Sequence, residues 1–428
     1  MANTYLSKTY GSSGNRQRQT ISVWVKRTKF DDTQTIFWSN GGSSYYAHLR
    51  FKSDNTLQYY AHNTCNLKTE YAFLDSNAWY HIVVTLDTTQ ATEADRLKIY
   101  VNGVQQTAFS TSSYPSQNAE VKFADDNIHY IGQSDSGSYF EGYMSHFHFV
   151  TNTAYQASTF GSTDSTTGEW KINTSPTVTY NTNSFFIFED GNSGTDQSGQ
   201  GNNYSVANGT LTKSEDCPSN IFCTNNPAWK QESARYVTHT KGNTMISGGG
   251  HTTWYQTPGT LAFNKGKFYW ECKFNAGTNL IQNHAGVINY ERTQETGQFR
   301  SKAESVFFTN EDGGETYTDG SVTSTNYGTL AQNDILGVAV DMDATTPTVK
   351  FYKNGSLHVS VNASSLSGKF VTPAQMIYQS GEFQLNFGNG YFGTTAVSSA
   401  GTNASGNGIF EYDVPTGYTA LSTKGLNL

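Results

Sequence analysis

Along most of this chain apolar residues recur at every second position, and no window of twelve or more residues carries an apolar stripe at the helical period. Side chains that alternate in this way point to opposite faces of a pleated strand. The pattern therefore admits sheets with a buried face and excludes helical bundles and coiled-coil shafts. The clearest segments are Thr20 to Lys26 (TISVWVK), Tyr80 to Leu86 (YHIVVTL) and Leu97 to Val101 (LKIYV). In the second half they are Lys267 to Phe274, Ile335 to Asp341 and Thr348 to Tyr352. All six are rich in β-branched and aromatic residues, which suit a half-buried pleated surface.

Composition supports the same class. Charged residues make up 14% of the 428, against roughly 25% in ordinary soluble domains. Asn, Ser, Thr and Gly stand in their place, and Gly and Asn tolerate the positive φ of tight turns. Asn102-Gly103 and Asn354-Gly355 each follow a strand directly, a strong hairpin signal. VVTLD, ending at Asp87, precedes the first turn by 15 residues, and GVAVD, ending at Asp341, precedes the second by 13. One device thus occurs once in each half, which predicts two related sandwiches in tandem. The polar stretch Thr212 to Ser233 separates them. The expected organisation is a first domain over 1–212, a linker over 213–233 and a second domain over 234–428.

The net charge of −8 argues against a phosphate-neutralising surface, so no nucleic-acid partner is expected. No stretch approaches the roughly 20 apolar residues that cross a bilayer, so no membrane insertion is expected. The start, MANTYLSKTY, has neither the basic nor the apolar region of a secretory signal. Cys217 and Cys223 lie close enough to bridge a small loop, but free thiols in a reducing cell are the expectation for a chain of four cysteines.

The first half resembles a concanavalin A-like lectin/glucanase domain of the laminin G/pentraxin kind. The resemblance rests on QTISVWVKR, AWYHIVVTLD, LKIYVNG and IHYIGQSDSGSYFEGYMSHFHF. The second half resembles a SPRY (B30.2-like) domain through GKFYWECKF, DILGVAVDMD, KFYKNG, FQLNFGNGYF and YDVPTGYTALST. The resemblance implies two antiparallel jelly-roll sandwiches, which the alternation favours independently. This order of domains resembles that of marine tailed-phage proteins. It implies a structural protein exposed on the virion, assembled in the host cytoplasm and released by lysis, with other virion proteins, further copies of itself and host-surface glycans as partners. Without a heptad shaft or an N-terminal anchor, head decoration or a docked appendage is expected ahead of a tail fibre. A protein-interaction module and a glycan-active hydrolase are the other classes. One departure from the resemblance matters. TDQSGQGNNY, at the start of many relatives, lies here after the lectin-like strands, so Phe185 to Phe188 and Tyr204 to Val206 are expected to return and pair with the N-terminal strands.

Retaining glycosidases need two carboxyl groups about 5–5.5 Å apart, which an E-x-D-x-E strand supplies. No such triplet occurs. Glu189-Asp190 and Glu311-Asp312 are adjacent pairs in turn-like contexts, expected to be solvated, and no enzyme is predicted. His146 and His148 alternate along one strand, near His129; they are expected to face outward while Phe147 and Phe149 face the core. The resemblance makes calcium the ion to test, with Asp125, Asp126, Asn127 and Asp135 as ligand candidates; no other cofactor is expected. For sugar, the loops holding Trp38, Tyr45 and Tyr46, then Tyr139, then Trp254 and Tyr255 set aromatic planes among amides and hydroxyls, the mixture that stacks on and hydrogen-bonds a pyranose.

Overall fold

The computed structural model describes residues 3–134, 137–189, 193–230, 235–275 and 282–428. The chain divides into two compact units, Met1–Lys213 and Ser214–Leu428. In the first, eight strands form one antiparallel sheet in the order Phe109–Ser113, Cys65–Ala72, Thr56–Ala61, Tyr46–Phe51, Gln34–Asn40, Ile128–Ile131, Tyr5–Thr9, Ser205–Asn208. Six form the other: Phe185–Ile187, Gly142–Thr151, Arg18–Arg27, Trp79–Asp87, Leu97–Val101, Val104–Gln105. Their alternate residues meet in a single core, in which Phe37, Leu49 and Leu67 of one sheet face Val23, Val84 and Phe149 of the other. The sequence-predicted strands lie within these elements, so the all-β sandwich expectation holds.

Two late segments close this unit. Ser205–Asn208 pairs with the N-terminal strand, Val206 opposite Leu6. Phe185–Ile187 pairs with Gly142–Thr151 instead, Phe185 opposite Phe149, so only one of the two returns reaches the N-terminal strands. A covering layer lies on the outer face of the six-stranded sheet, where Ala157 and Phe160 cluster with Val83 and Tyr100. Beneath it the Trp170 indole donates to His81 Nδ1 at 2.9 Å, and Trp24 stacks on the same imidazole at 4.6 Å. This layer corrects the histidine expectation. Phe147 and Phe149 do face the core, but His148 is buried, stacked on Phe186 at 3.9 Å and bonded to the Tyr180 hydroxyl at 2.7 Å. His129 belongs to the opposite sheet and points into the core, edge-on to Tyr10.

The second unit repeats the plan. One sheet runs Arg235–Tyr236, Trp254–Pro258, Val371–Tyr378, His284–Asn289, Ser305–Thr309, Glu315–Thr318, Ser321–Ser324. The other runs Thr238–Thr240, Met245–Ser247, Glu382–Asn386, Lys267–Phe274, Ile335–Asp341, Thr348–Lys353, Ser356–Asn362, with Thr419–Ala420 added parallel to Lys267–Phe274. Residues 214–230, expected to be linker, are part of this unit. Their few apolar side chains find cover: Cys223 joins its core, Phe222 packs with Tyr269, and Trp229 meets Phe299 edge-on at 5.3 Å. None of the four cysteines is in a disulfide.

The hairpin echo is exact in kind. Asn102 and Gly103 have φ of 48° and 77°, and Asn354 and Gly355 have 48° and 82°, the two positive values of a type I′ turn. In each case the asparagine clasps one residue of the neighbouring strand through both its backbone N–H and its Oδ1. That residue is His81 in the first unit, at 2.9 and 2.8 Å, and Ile335 in the second, at 2.9 Å for both bonds.

Glu271 ties the C-terminal segment to the outer face of its sheet. It accepts the backbone N–H of Glu411 at 3.0 Å and of Tyr412 at 2.9 Å, with Asn386 and Tyr269 also donating. Burial pushes its carboxyl up to about 7 from 4.5, and these donors only partly offset that. The native state therefore holds the proton more tightly than the unfolded chain. The stability this gives is complete below pH 4.5 and is lost as pH rises through about 7. The urea midpoint of the second unit should fall between pH 5 and 8, and Glu271→Gln should flatten that dependence.

A second expected outcome concerns closure of the first unit. A fragment ending at Phe160 lacks Phe185, Ile187 and Tyr204, all buried in the core. At roughly 1.5–3 kcal/mol for each large side chain, the loss rivals the whole stability of a domain, about 5–15 kcal/mol. Chemical denaturation should show a cooperative transition for 1–213 and none for 1–160; equal cooperativity would sink the closure argument.

Candidate functional site

On the strands Gln34–Asn40, Tyr46–Phe51 and Thr56–Ala61, the residues that alternate with the core positions point to the opposite, outer face of the eight-stranded sheet. The register lines up Tyr130 opposite Trp38, Trp38 opposite His48, His48 opposite Tyr60 and Tyr60 opposite Asn66. The result is an aromatic row crossing four adjacent strands. Trp38 stacks on Tyr130 at 4.9 Å and lies parallel to His48 at 5.9 Å. Tyr5 extends the row beyond Tyr130, and Tyr139 lies against Tyr5 at 6.2 Å. At the other end Tyr46 meets His48, Tyr60 and His62 within 6 Å.

Trp38 and His48 form the floor of this row, 4% and 1% exposed, between two half-exposed tyrosine groups. Trp38 Nε1 and His48 Nδ1 are both buried and lack a hydrogen-bond partner among the described residues. Buried polar atoms are seldom left so, because each costs about 1–3 kcal/mol. Burial, with the nearby Arg50 and Lys52 charges, pulls the His48 imidazole down to about 3, so it is neutral at pH 7. The arrangement presents half-exposed tyrosine rings on the sheet's outer face, with the indole and a neutral imidazole packed between them.

Of the aromatics singled out in the sequence, the structure brings Trp38, Tyr46 and Tyr139 into this one ring system. Tyr45 lies apart, its hydroxyl bonded to Asp125 and Arg16, with the Lys122 ammonium 4.1 Å over its ring. In the second unit Trp254 and Tyr255 point to opposite faces. Tyr255 is in the core, whereas Trp254 lies against His284, Tyr378 and the Arg300 guanidinium. Arg300 also pairs with Glu311 at 2.5 Å, and Glu311 accepts from Tyr317. Glu311 is therefore not the solvated turn carboxylate expected; Asp312 and Glu189 are exposed, and Asp190 lies outside the described residues. Tyr5, His48, Tyr60, His62 and Tyr130 went unmarked in the sequence. Their signal was the alternation itself, as in Tyr46-x-His48 and Tyr60-x-His62.

The calcium candidates do not fit a cation. Asp125 accepts from Ser13, Tyr45 and the Asp126 amide and pairs with Arg16 at 2.6 Å, so its oxygens are taken and a positive charge already sits beside it. Asp126 is exposed, the Asn127 carbonyl is bonded to His129, and Asp135 lies outside the described residues. Among the described residues no three His, Cys, Asp or Glu side chains gather as a metal site.

Paired antiparallel sheets around one core, twice over, with an aromatic outer face on the first, define a tandem of two-sheet β-sandwich domains. Residues 2–158 match the concanavalin A-like lectin/glucanases superfamily and residues 267–390 match the SPRY domain. The chain is thus a concanavalin A-like domain followed by a SPRY domain; domains of both kinds are typically non-catalytic binding modules. Solved structures similar to it include the SPRY domain of human HERC1, at 17% identity and a TM-score of 0.31, covering 38% of this chain and 96% of that one. The TRIM65 PSpry domain matches at 16% identity and 0.30, covering 38% and 91%. Stonustoxin matches at 20% and 0.30, covering 39% and 27%. Comparison with curated proteins gives no match.

The Asp125 hub joins the N-terminal loop to the loop that carries Tyr45. Burial alone would push the Asp125 carboxyl up, but the bonds from Ser13, Tyr45 and the Asp126 amide, with the Arg16 charge, outweigh it and hold it at about 2. Its contribution is present above pH 3.8 and is lost as pH falls through about 2. Asp125→Asn should lower stability by about 1 kcal/mol, the low end for a charge-assisted contact because Arg16 keeps solvent contact. Thermal melts from pH 2 to 5 should show a smaller acid-induced loss in the variant.

Proposed function

We propose that this chain is a non-enzymatic adhesion protein exposed on a tailed-phage virion, which binds host-surface glycans through the Trp38 face of its first domain. The observation that carries the reading is the registered row of rings, whose half-exposed tyrosines flank Trp38 on the outer face of the sheet. The C–H face of a pyranose packs on the half-exposed tyrosine rings, while tyrosine hydroxyls and neighbouring amides serve its hydroxyl groups. The order of the two domains, similar to that of tailed-phage proteins, supports the virion setting. Catalysis finds no support, because Glu311 is neutralised by Arg300 and Glu189 stands exposed in a turn. The Trp254, Tyr378 and Arg300 cluster favours a second role for the SPRY domain, contact with another virion protein or another copy of the chain.

A glycan array with the whole chain should give saturable binding with no release of reducing ends. Tyr60→Ala and Tyr130→Ala, both half-exposed and outside the core, should each weaken it about three- to tenfold. Mass spectrometry of purified particles should find the chain. Absence of any glycan binding would remove the adhesion reading, and absence from particles would remove the virion setting.

A further inference from the structure

The aromatic row has two unlike flanks. On one side runs a second registered row, two residues along from His48, Tyr60 and Asn66 and, across a bulge, three from Trp38, in which Thr35 faces Arg50, Arg50 faces Gln58 and Gln58 faces Lys68. Gln58 joins the two rows. It accepts from Arg50 Nε at 2.9 Å and donates to Asn66, the last residue of the ring row, at 2.8 Å. Lys52 lies just past Arg50 in the turn, and its ammonium is held down by burial and by Arg50. Asp54, in that same turn, is bonded to Lys68 at 2.8 Å, and the exposed Glu70 lies two residues beyond Lys68, so three cations stand here against two carboxylates. On the other flank Asn40 faces Tyr46, and the His62 backbone N–H donates to the Tyr46 carbonyl. Arg50, Lys52 and Lys68 thus line this flank of the ring row, in a chain whose net charge is −8.

We infer that the ligand of this face is an anionic polysaccharide, whose sugar rings lie along the Trp38 row and whose carboxylate or sulfate groups meet Arg50 and Lys68. The inference rests on the glycan reading above and narrows it. Arg50 and Lys68 stand two strand spacings apart, about 9–10 Å, a span that two linked pyranose rings cover. Guanidinium and ammonium groups bind such anions by charge-assisted hydrogen bonds, stronger than those to neutral hydroxyls. A neutral glycan would give both cations only hydroxyl groups and would gain the weaker hydrogen bonds alone.

The test is equilibrium binding of the full chain to three oligosaccharides of matched length: a neutral gluco-oligosaccharide, an oligouronate and a sulfated galactan oligomer, each at low and at high sodium chloride. One anionic oligomer should bind at least about tenfold more tightly than the neutral one, and added salt should weaken only the anionic complex. Binding of the oligouronate alone assigns carboxylate, and binding of the sulfated oligomer alone assigns sulfate; either supports the inference. Lys68→Ala and Lys52→Ala should lower anionic affinity severalfold and leave neutral affinity unchanged, and Arg50→Gln should do the same if it folds. Tyr60→Ala should weaken every complex. If the neutral oligomer binds as tightly as both anionic ones, or Lys68→Ala and Lys52→Ala change nothing, the anionic inference fails while glycan binding stands. If the wild-type chain binds none of the three, both fall together.

Discussion

Phe37 and Trp38 are chain neighbours on one strand, and the first domain is organised around the fact that they cannot share a face. Phe37 stands in the middle of the core, stacked on Phe123 at 4.6 Å and edge-on to Phe147, Phe149 and Phe185 within 6 Å. Those contacts fix the pleat, and the pleat sends Trp38 outward into the ring row. A slip of one residue would exchange the two, burying an indole N–H among phenylalanines and turning Phe37 to the outer face. Core packing and surface chemistry are therefore one constraint. The same register that fills the interior lines up Tyr130, Trp38, His48 and Tyr60 on the other side.

Two covered faces show how this chain treats polar groups beneath an overlying segment. His81, under the layer that holds Phe160 and Trp170, is bonded at both ring nitrogens, to Ser22 and to Trp170. Glu271, under the C-terminal segment, has four donors. Trp38 Nε1 and His48 Nδ1 are as deeply placed and have none among the described residues. Trp270 Nε1 and His284 Nδ1 in the second unit share that state.

Much of the architecture was legible in the sequence because alternation and Asn-Gly turns are local signals. The strand around TISVWV, the twin hairpins at Asn102 and Asn354, and the all-β class follow from neighbouring residues alone. What crosses the chain was not legible. Alternation shows that Trp38, His48 and Tyr60 point to one face of their strands, but only register places Trp38 opposite Tyr130, about ninety residues away in the chain, and so joins all four in one row. Residues 214–230 looked like linker because polar side chains outnumber Phe222, Cys223 and Trp229, yet those three decide where the segment lies. Histidine 148 and Glu311 misled for a related reason. An outward position on a strand, or a place in a turn, says nothing of a later segment or an arginine that closes over it.

The pairing of Ser205–Asn208 with Tyr5–Thr9 also sets a schedule for the growing polypeptide. At about 5–20 residues per second, roughly 10–40 seconds separate the synthesis of Leu6 from that of its partner Val206. For that interval the first strand has one of its two neighbours at most, and Leu6, Tyr10 and the apolar face behind them stay without the cover that Tyr204 brings. The first domain therefore cannot finish folding until nearly half the chain has been made, and a ribosome that stalls before residue 204 leaves an open, aggregation-prone sheet edge in the cell.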